Sequence, residues 1–132
     1  MVDARLAICW AIGDWLVTYA GWRDRELRRI GFHANGIPFA AKRWFPAEWL
    51  TDAFRQQVSR GLRRLEREGV LVRVTGDSGR TTHVRPTTLL VDVLLELATE
   101  RDAAEATAIR KSLGLTVWGQ AILAELANEA NR

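Results

Sequence analysis

Apolar and polar positions recur with helical spacing between Thr51 and Arg67. The apolar stripe consists of Phe54, Val58, Leu62 and Leu65, and the opposite face carries Asp52, Gln56, Ser59, Arg60, Arg63 and Arg67. Thr51 or Asp52 can cap the first turn, because a side-chain oxygen at that position accepts a hydrogen bond from a free backbone N–H. Gly69 stands where a helix often ends with a positive φ. The pattern predicts an amphipathic helix with an arginine-rich outer face.

A two-stranded hairpin is predicted directly after this helix. Residues 70–74 are mainly β-branched and apolar, and residues 81–85 can return as a second strand. The sequence Gly76-Asp77-Ser78-Gly79 between them favours a tight turn. We therefore expect a glycine-rich tip next to the basic residue Arg80.

Further helices are predicted on both sides of this central stretch. Residues 3–20 form one, capped by Asp3, and residues 87–100, 101–113 and 116–131 form three more. The first helix has two apolar stripes, one with Leu6, Trp10 and Val17 and one with Ile8, Ile12, Trp15 and Tyr19. A helix that is apolar on two sides must be buried on both, so it lies either in the core of a monomer or partly in a dimer contact. Gly114 is expected as the C′ residue and Thr116 as the N-cap at the last break.

The segment between the first helix and Thr51 is less regular. Residues 21–30 fit a short charged helix. Residues 31–39 fit a small hairpin at Asn35-Gly36 or a loop leading into a short strand, and Pro38 argues against a central strand position. The helix before Thr51 either begins at Pro46 or spans Ala40 to Trp44, with Pro46 starting the turn. Trp44, Phe45 and Trp49 are expected in the core, with a stacking platform for single-stranded nucleic acid as the alternative.

Positive charge is concentrated on the central helix and hairpin. The chain has 132 residues and a net charge of +3, yet residues 51–86 hold eight basic against four acidic side chains. Residues 87–132 hold four basic against seven acidic side chains. A local excess of arginine is the pattern expected for a polyanionic partner. We therefore expect the C-terminal helices to lie away from that partner.

Composition excludes several classes of site. The single Cys9 allows no internal disulfide, and a small buried apolar role is expected for it. The two histidines, His33 and His83, lie in different predicted elements without a catalytic or metal-binding spacing. We expect no enzyme activity, no cofactor and no metal. No signal peptide or membrane-spanning stretch is predicted, so a cytoplasmic location is expected.

The helix and hairpin together resemble the recognition helix and wing of winged helix-turn-helix proteins. The residues that carry the resemblance run from Val58 through Glu66-x-Glu68-Gly69-Val70-Leu71 to the hairpin end at Arg85. It implies a mainly α fold with a small β-hairpin wing and with N- and C-terminal helical extensions. It also implies one domain over residues 1–132, in which 1–50 support the helix-turn-helix, 51–86 bind DNA and 87–132 dimerise. The flanking helices look similar to the dimerising helices of MarR-type and PadR-type regulators.

The resemblance implies binding of double-stranded DNA by a homodimer. Residues in the first half of the helix would approach base edges, with Gln56 suited to adenine and Arg60 to guanine, and later arginines would bind phosphates. The full expected set is Arg55, Gln56, Ser59, Arg60, Arg63, Arg64, Arg67, Arg73, Arg80, Thr82 and Arg85. Glu66 and Glu68 are expected to pair with Arg63 and Arg64 and to orient them.

The expected function is transcription regulation in a prokaryote or a mobile element. The alternatives are a plasmid or phage replication, partition or packaging protein, or a winged helix used as a protein-interaction module. A rival helix-turn-helix lies at 112–116, where Ser-Leu-Gly-Leu-Thr is faintly similar to a segment of phage terminase small subunits. A tryptophan-rich pocket between the N-terminal and C-terminal helices could bind an apolar ligand, and the alternative is a filled core. The sequence does not define a small-molecule effector.

Overall fold

The computed structural model describes residues 3–18, 29 and 36–131 of the chain. Most of the helix predicted at 21–30 lies outside the described residues, as do Tyr19, His33 and Asn35. Within the described ranges the protein is mainly helical, with one small antiparallel sheet. Helix and hairpin therefore follow each other in the order that the sequence predicts.

The described elements run along the chain as helices interrupted by three strands. The helices are α1 (Ala4–Thr18), α2 (Ala41–Trp44), α3 (Asp52–Arg67), α4 (Thr88–Arg101), α5 (Ala103–Leu113) and α6 (Val117–Ala130), with a 3-10 turn at Ala47–Trp49. The strands are β1 (Ile37–Pro38), β2 (Leu71–Thr75) and β3 (Thr81–Pro86). The sheet order is β1-β3-β2, with both pairs antiparallel. Pro38 therefore lies in an edge strand, as its missing N–H requires.

Helix α1 lies at the centre of the core and packs on two sides within this one chain. Toward α3 it approaches Gly61, where an added Cβ would lie 3.2 Å from Ile8 Cδ1. Toward α4, a Cβ on Gly13 would lie 3.3 Å from Leu94 Cδ2. The stripe with Ile8, Ile12 and Trp15 is thus buried within this chain, whereas Leu6 and Trp10 of the other stripe stay exposed.

The support of α3 follows the second of the two patterns expected around Pro46. Helix α2 ends at Trp44, and Pro46 precedes the 3-10 turn that leads to Thr51. The Trp44 indole donates a buried hydrogen bond of 2.8 Å to the carbonyl of Pro38, which ties α2 to β1. Trp44 and Phe45 are core residues as expected, but the expectation for Trp49 is wrong, because it lies at the surface.

The C-terminal helices pack on each other and on α1. Helix α4 continues to Arg101, one residue further than predicted, and Asp102 caps α5 by accepting a 2.9 Å hydrogen bond from the N–H of Ala104. Thr116 caps α6 as expected, through a 3.0 Å bond from the N–H of Gly119. Gly114 differs from the expectation, because its φ of −64° is right-handed and needs no glycine.

Candidate nucleic-acid interface

Helix α3 is fixed at both ends by local contacts that its sequence encodes. The hydroxyl of Thr51 accepts a 3.1 Å hydrogen bond from the N–H of Phe54, which caps the first turn. At the other end Gly69 has a φ of +77°, a conformation that a residue with a Cβ rarely adopts. The N–H of Val70 then bonds to the carbonyl of Leu65, which closes the helix.

The buried face of α3 determines which residues face outward. Phe54, Val58, Gly61, Leu62 and Leu65 are buried, in agreement with the predicted stripe. Exposed on the other side are Asp52, Gln56, Ser59, Arg60, Arg63 and Arg67, with Arg55 exposed at the edge, and we call these seven residues the outer face. The helix therefore presents polar side chains over its whole length.

The arginines of the outer face have no ion-pair partner among the described residues. The described ion pairs involve Arg5, Arg64, Arg73 and Arg101. Arg55, Arg60, Arg63 and Arg67 take part in none of them. Their positive charge is therefore available to a ligand, and four such charges on one exposed helix face suit a polyanion.

Arg64 is engaged at the base of the helix. Its Nε donates to Glu68 Oε1 at 3.1 Å, which confirms the expected pair of these two residues. The second oxygen of Glu68 accepts from Arg5 of α1 at 2.9 Å. Arg64 thus belongs to an exposed charge group that joins α3 to α1.

Arg73 is engaged between α3 and the hairpin. The carboxylate of Glu66 accepts from the backbone N–H of Arg73 at 2.7 Å and from its Nε at 3.3 Å. The Nη1 of Arg73 also donates to Thr81 Oγ1 of the neighbouring strand at 3.2 Å. The pairing expected between Glu66 and Arg63 is therefore replaced by one between Glu66 and Arg73. Sequence spacing could not show it, because the helix end and turn that bring the two together lie between them.

The hairpin tip is exposed and contains Arg80. The N–H of Gly76 bonds to the Arg80 carbonyl at 2.9 Å, and the N–H of Gly79 bonds to Gly76, so the turn is closed. Arg80 has no ion-pair partner among the described residues. Thr82 is exposed too, and its hydroxyl donates to the carbonyl of Val74 at 3.2 Å.

Arg85 lies on the other side of the sheet from Arg73. It pairs with Val72 in the register, whereas Arg73 pairs with Val84, and alternate residues of a strand point to opposite faces. With Val72, Arg85 lines a depression that also includes Val117 of α6. The structure therefore groups six expected residues on the outer face of α3, places Arg80 and Thr82 on the hairpin, and places Arg64, Arg73 and Arg85 in other surroundings.

No cluster of three or more His, Cys, Asp or Glu side chains suited to a metal is found among the described residues. Cys9 is half-buried, and burial raises the pKa of its thiol, with smaller and opposing effects of the Arg5 and Asp3 charges. In the same residues no helix has the length and apolar character needed to cross a membrane.

No protein-family model, curated protein or solved structure matches the chain.

Proposed function

We propose that this protein binds double-stranded DNA through a winged helix-turn-helix, with α3 as the recognition helix and the β2–β3 hairpin as the wing. The observation that carries the proposal is the outer face of α3. It is polar from end to end, exposed throughout, and holds four arginines without ion-pair partners among the described residues. A helix of this kind fits the major groove of B-DNA.

Base recognition is assigned to the first half of α3. Arg55, Gln56 and Ser59 lie there and Arg60 follows directly after it, and the N-terminal half of a recognition helix usually approaches base edges. Gln56 has the donor and acceptor pair that matches adenine, and Arg60 has the fork that matches O6 and N7 of guanine. Arg63 and Arg67 follow along the same face and are assigned to phosphates.

The wing contributes mainly through Arg80 in this proposal. Arg80 stands at the exposed tip of the hairpin, where it can follow the DNA backbone or enter a minor groove, and Thr82 lies beside it on β3. Arg64 and Arg73 are assigned weaker parts, because Glu68 and Glu66 already hold their guanidinium groups. Arg85 is assigned a weaker part because it lies beside α6.

We favour a cytoplasmic transcription regulator of a prokaryote or mobile element, with replication, partition or packaging of plasmid or phage DNA as the alternative. A protein-interaction module is less favoured, because the outer face of α3 carries no apolar residue. The rival at 112–116 is less favoured as well, because Ser112 and Leu113 are buried and the surrounding helices are acidic overall.

A homodimer is part of the proposal, because two-fold DNA sites are bound by two copies of a recognition helix. Apolar side chains remain exposed on α4 at Leu89, Val93 and Leu97, which lie one turn apart on one face. We assign this stripe to the dimer contact. Replacing Val93 with Glu should convert a dimer to a monomer in analytical ultracentrifugation, while a wild-type chain that is already monomeric would remove this part of the proposal.

The central experiment is selection of bound duplexes from a random DNA pool, followed by mobility-shift titration of the selected sequence at stated salt. The double variant R60A/R63A should bind that duplex at least about tenfold more weakly, since one base contact alone is worth ~1–3 kcal/mol. The matched control is R110A/K111A, which removes two exposed cations from α5 and should bind as the wild type does. Unchanged affinity of R60A/R63A, or failure to enrich any sequence, would contradict the proposal.

A further inference from the structure

An apolar groove runs between α1 and the segment that joins α2 to the 3-10 turn. Leu6 and Trp10 form the α1 side, and Trp44, Phe45 and Trp49 form the other. Its volume is about 460 Å³, within the range of about 300–1,000 Å³ that small-molecule sites occupy. The groove is distinct from the outer face of α3.

The side chains at the rim of this groove are large, apolar and unusually exposed. Leu6 is 59% exposed, Trp10 42% and Trp49 36%. Scattered exposed apolar residues are common, but here three of them converge on one concave surface. Between them they offer two indole rings to an occupant.

Two acidic residues line the groove. They are Asp3 and Asp14, and the described basic residue Arg101 of α4 lies at its edge, over the Trp10 ring. Asp3 directly precedes α1 and Asp14 follows eleven positions later on that helix, so their Cα atoms are roughly 16 Å apart at a rise of about 1.5 Å per residue. One oxygen of Asp3 caps α1 by accepting from the N–H of Arg5. Asp14 is exposed one turn after Trp10, so it is the carboxylate that we assign to a ligand, and a ligand there would compete with the charge of Arg101.

An existing contact shows that the aromatic wall accepts a cation. The guanidinium carbon of Arg101 lies 4.9 Å from the centre of the Trp10 ring. Arg101 also forms an ion pair with Glu105 at 3.4 Å, and this pair partly neutralises its charge at the groove. The acidic lining equally disfavours a nucleic acid, whose phosphates it would repel, and with it the single-strand stacking alternative.

We propose that this groove binds an apolar organic cation, a molecule with an aromatic or branched hydrocarbon body and a single positive charge. The body fits between the indoles of Trp10 and Trp49, and the charge is stabilised by Asp14 and by the faces of the rings. Apolar contact supplies affinity, and the sign of the charge supplies selectivity. The site does not depend on the DNA-binding proposal.

The test uses two ions of nearly the same size and shape but opposite charge, tetraphenylphosphonium and tetraphenylborate. Each is titrated into the full chain without DNA, and the indole N–H signals of the tryptophans are followed by NMR. We expect tetraphenylphosphonium to bind at least about fivefold more tightly than tetraphenylborate. The NMR signals of the Trp10 and Trp49 indole N–H groups should shift on binding. Equal binding of both ions, or no binding of the cation, would overturn the proposal.

Variants locate the site and distinguish an organic cation from a second copy of the chain as its occupant. Trp49→Ala should weaken cation binding about fivefold, and Asp14→Asn should reduce the preference for the cation over the anion. Leu6→Ala is the substitute if Trp49→Ala does not fold, and Val117→Ala, an exposed apolar change at the start of α6, is the control that should bind normally. A second copy of the chain would be the occupant if three results came together: self-association of the wild type, a monomeric Trp49→Ala variant, and no binding of the cation. The proposal would then be wrong.

Discussion

Glu66 at the end of α3 and Arg73 in β2 are joined by two hydrogen bonds to one carboxylate, from the Arg73 backbone N–H at 2.7 Å and from its Nε at 3.3 Å. The side chain of Arg73 is only 17% exposed, so the pair is shielded from water on one side. Arg73 also donates a hydrogen bond to the Thr81 hydroxyl, so the contacts extend from the helix to both strands of the hairpin. The Glu66 carboxylate therefore helps to fix the orientation of the hairpin relative to α3.

Replacing Glu66 with Ala should lower the free energy of unfolding by about 2 kcal/mol. A hydrogen bond to a charged group contributes about 1.5–3 kcal/mol, and the total for this pair is reduced because water reaches the Glu66 carboxylate, which is 36% exposed. Urea denaturation measures the change. The matched control is Glu68→Ala, which removes an exposed carboxylate from the same helix end and should cost less than about 1 kcal/mol. Equal losses for the two variants would show that the Glu66 contact has no special weight.

Replacing Arg80 with Ala should weaken DNA binding mostly at low salt, because the proposed contact is to the backbone. The slope of log affinity against log salt should become shallower by about one unit if one phosphate contact is lost. Mobility-shift titrations of wild type and variant at several salt concentrations measure the slope. A loss of affinity that is independent of salt would instead assign Arg80 to an uncharged contact.

Replacing Gly119 with Ala should cost about 3 kcal/mol, at the upper end of overpacking effects. An added Cβ there would lie 2.0 Å from the carbonyl oxygen of Leu113, so α5 and α6 would have to separate. Gly114→Ala is the paired control. Its φ is right-handed and the nearest atom lies 3.5 Å from an added Cβ, so alanine should be neutral or stabilise by up to about 1 kcal/mol. Thermal and urea denaturation of both variants measure the difference, and similar stabilities for the two would contradict the close approach at Gly119.

Replacing Asp14 with Asn should stabilise the protein at neutral pH. Burial, and next the negative charge of Glu105, raise the pKa of Asp14, while Arg101 opposes them. The pKa of Asp14 in the folded state lies above the unfolded value of about 3.9, so folding disfavours its charged form. The folded state therefore loses stability as the pH rises from the unfolded pKa through the folded pKa. The advantage of Asn should therefore be present at pH 7 and vanish below about pH 4.

Denaturation curves of wild type and Asp14→Asn at pH 7 and in mild acid test this dependence. Asp92→Asn, which removes an exposed carboxylate from α4, controls for the change in net charge. A pH-independent difference between Asp14→Asn and wild type would mean that the effect comes from the shape of the side chain and not from its ionisation.

Local signals in the sequence predict α3 well. Its apolar spacing, the cap at Thr51 and the glycine at 69 all act within a few residues, and the structure confirms each of them. The outer face follows directly, because burial of one side of a helix fixes what the other side exposes. The same holds for Thr116, whose hydroxyl caps α6.

Contacts between distant elements are not predictable in the same way. Glu66 lies three positions from Arg63 and seven from Arg73, so helical spacing favours the wrong partner, and only the turn at Gly69 brings β2 back to the helix. The size of Trp49 favours a place in the core, yet a 3-10 turn leaves it at the rim of a groove. In both cases packing between elements determines where the side chain lies and what it contacts. The periodicity within a single element does not predict such contacts.

The separation of the two faces of α3 has a consequence for how this protein can change. Its five buried positions hold the helix in place, and the side chains of its outer face take part in no described hydrogen bond or ion pair. Substitutions at exposed sites of this kind usually alter stability by less than about 0.5 kcal/mol. Gln56, Ser59 and Arg60 can therefore be exchanged almost freely, so that one scaffold can evolve, or be engineered, toward a different ligand without first having to be stabilised.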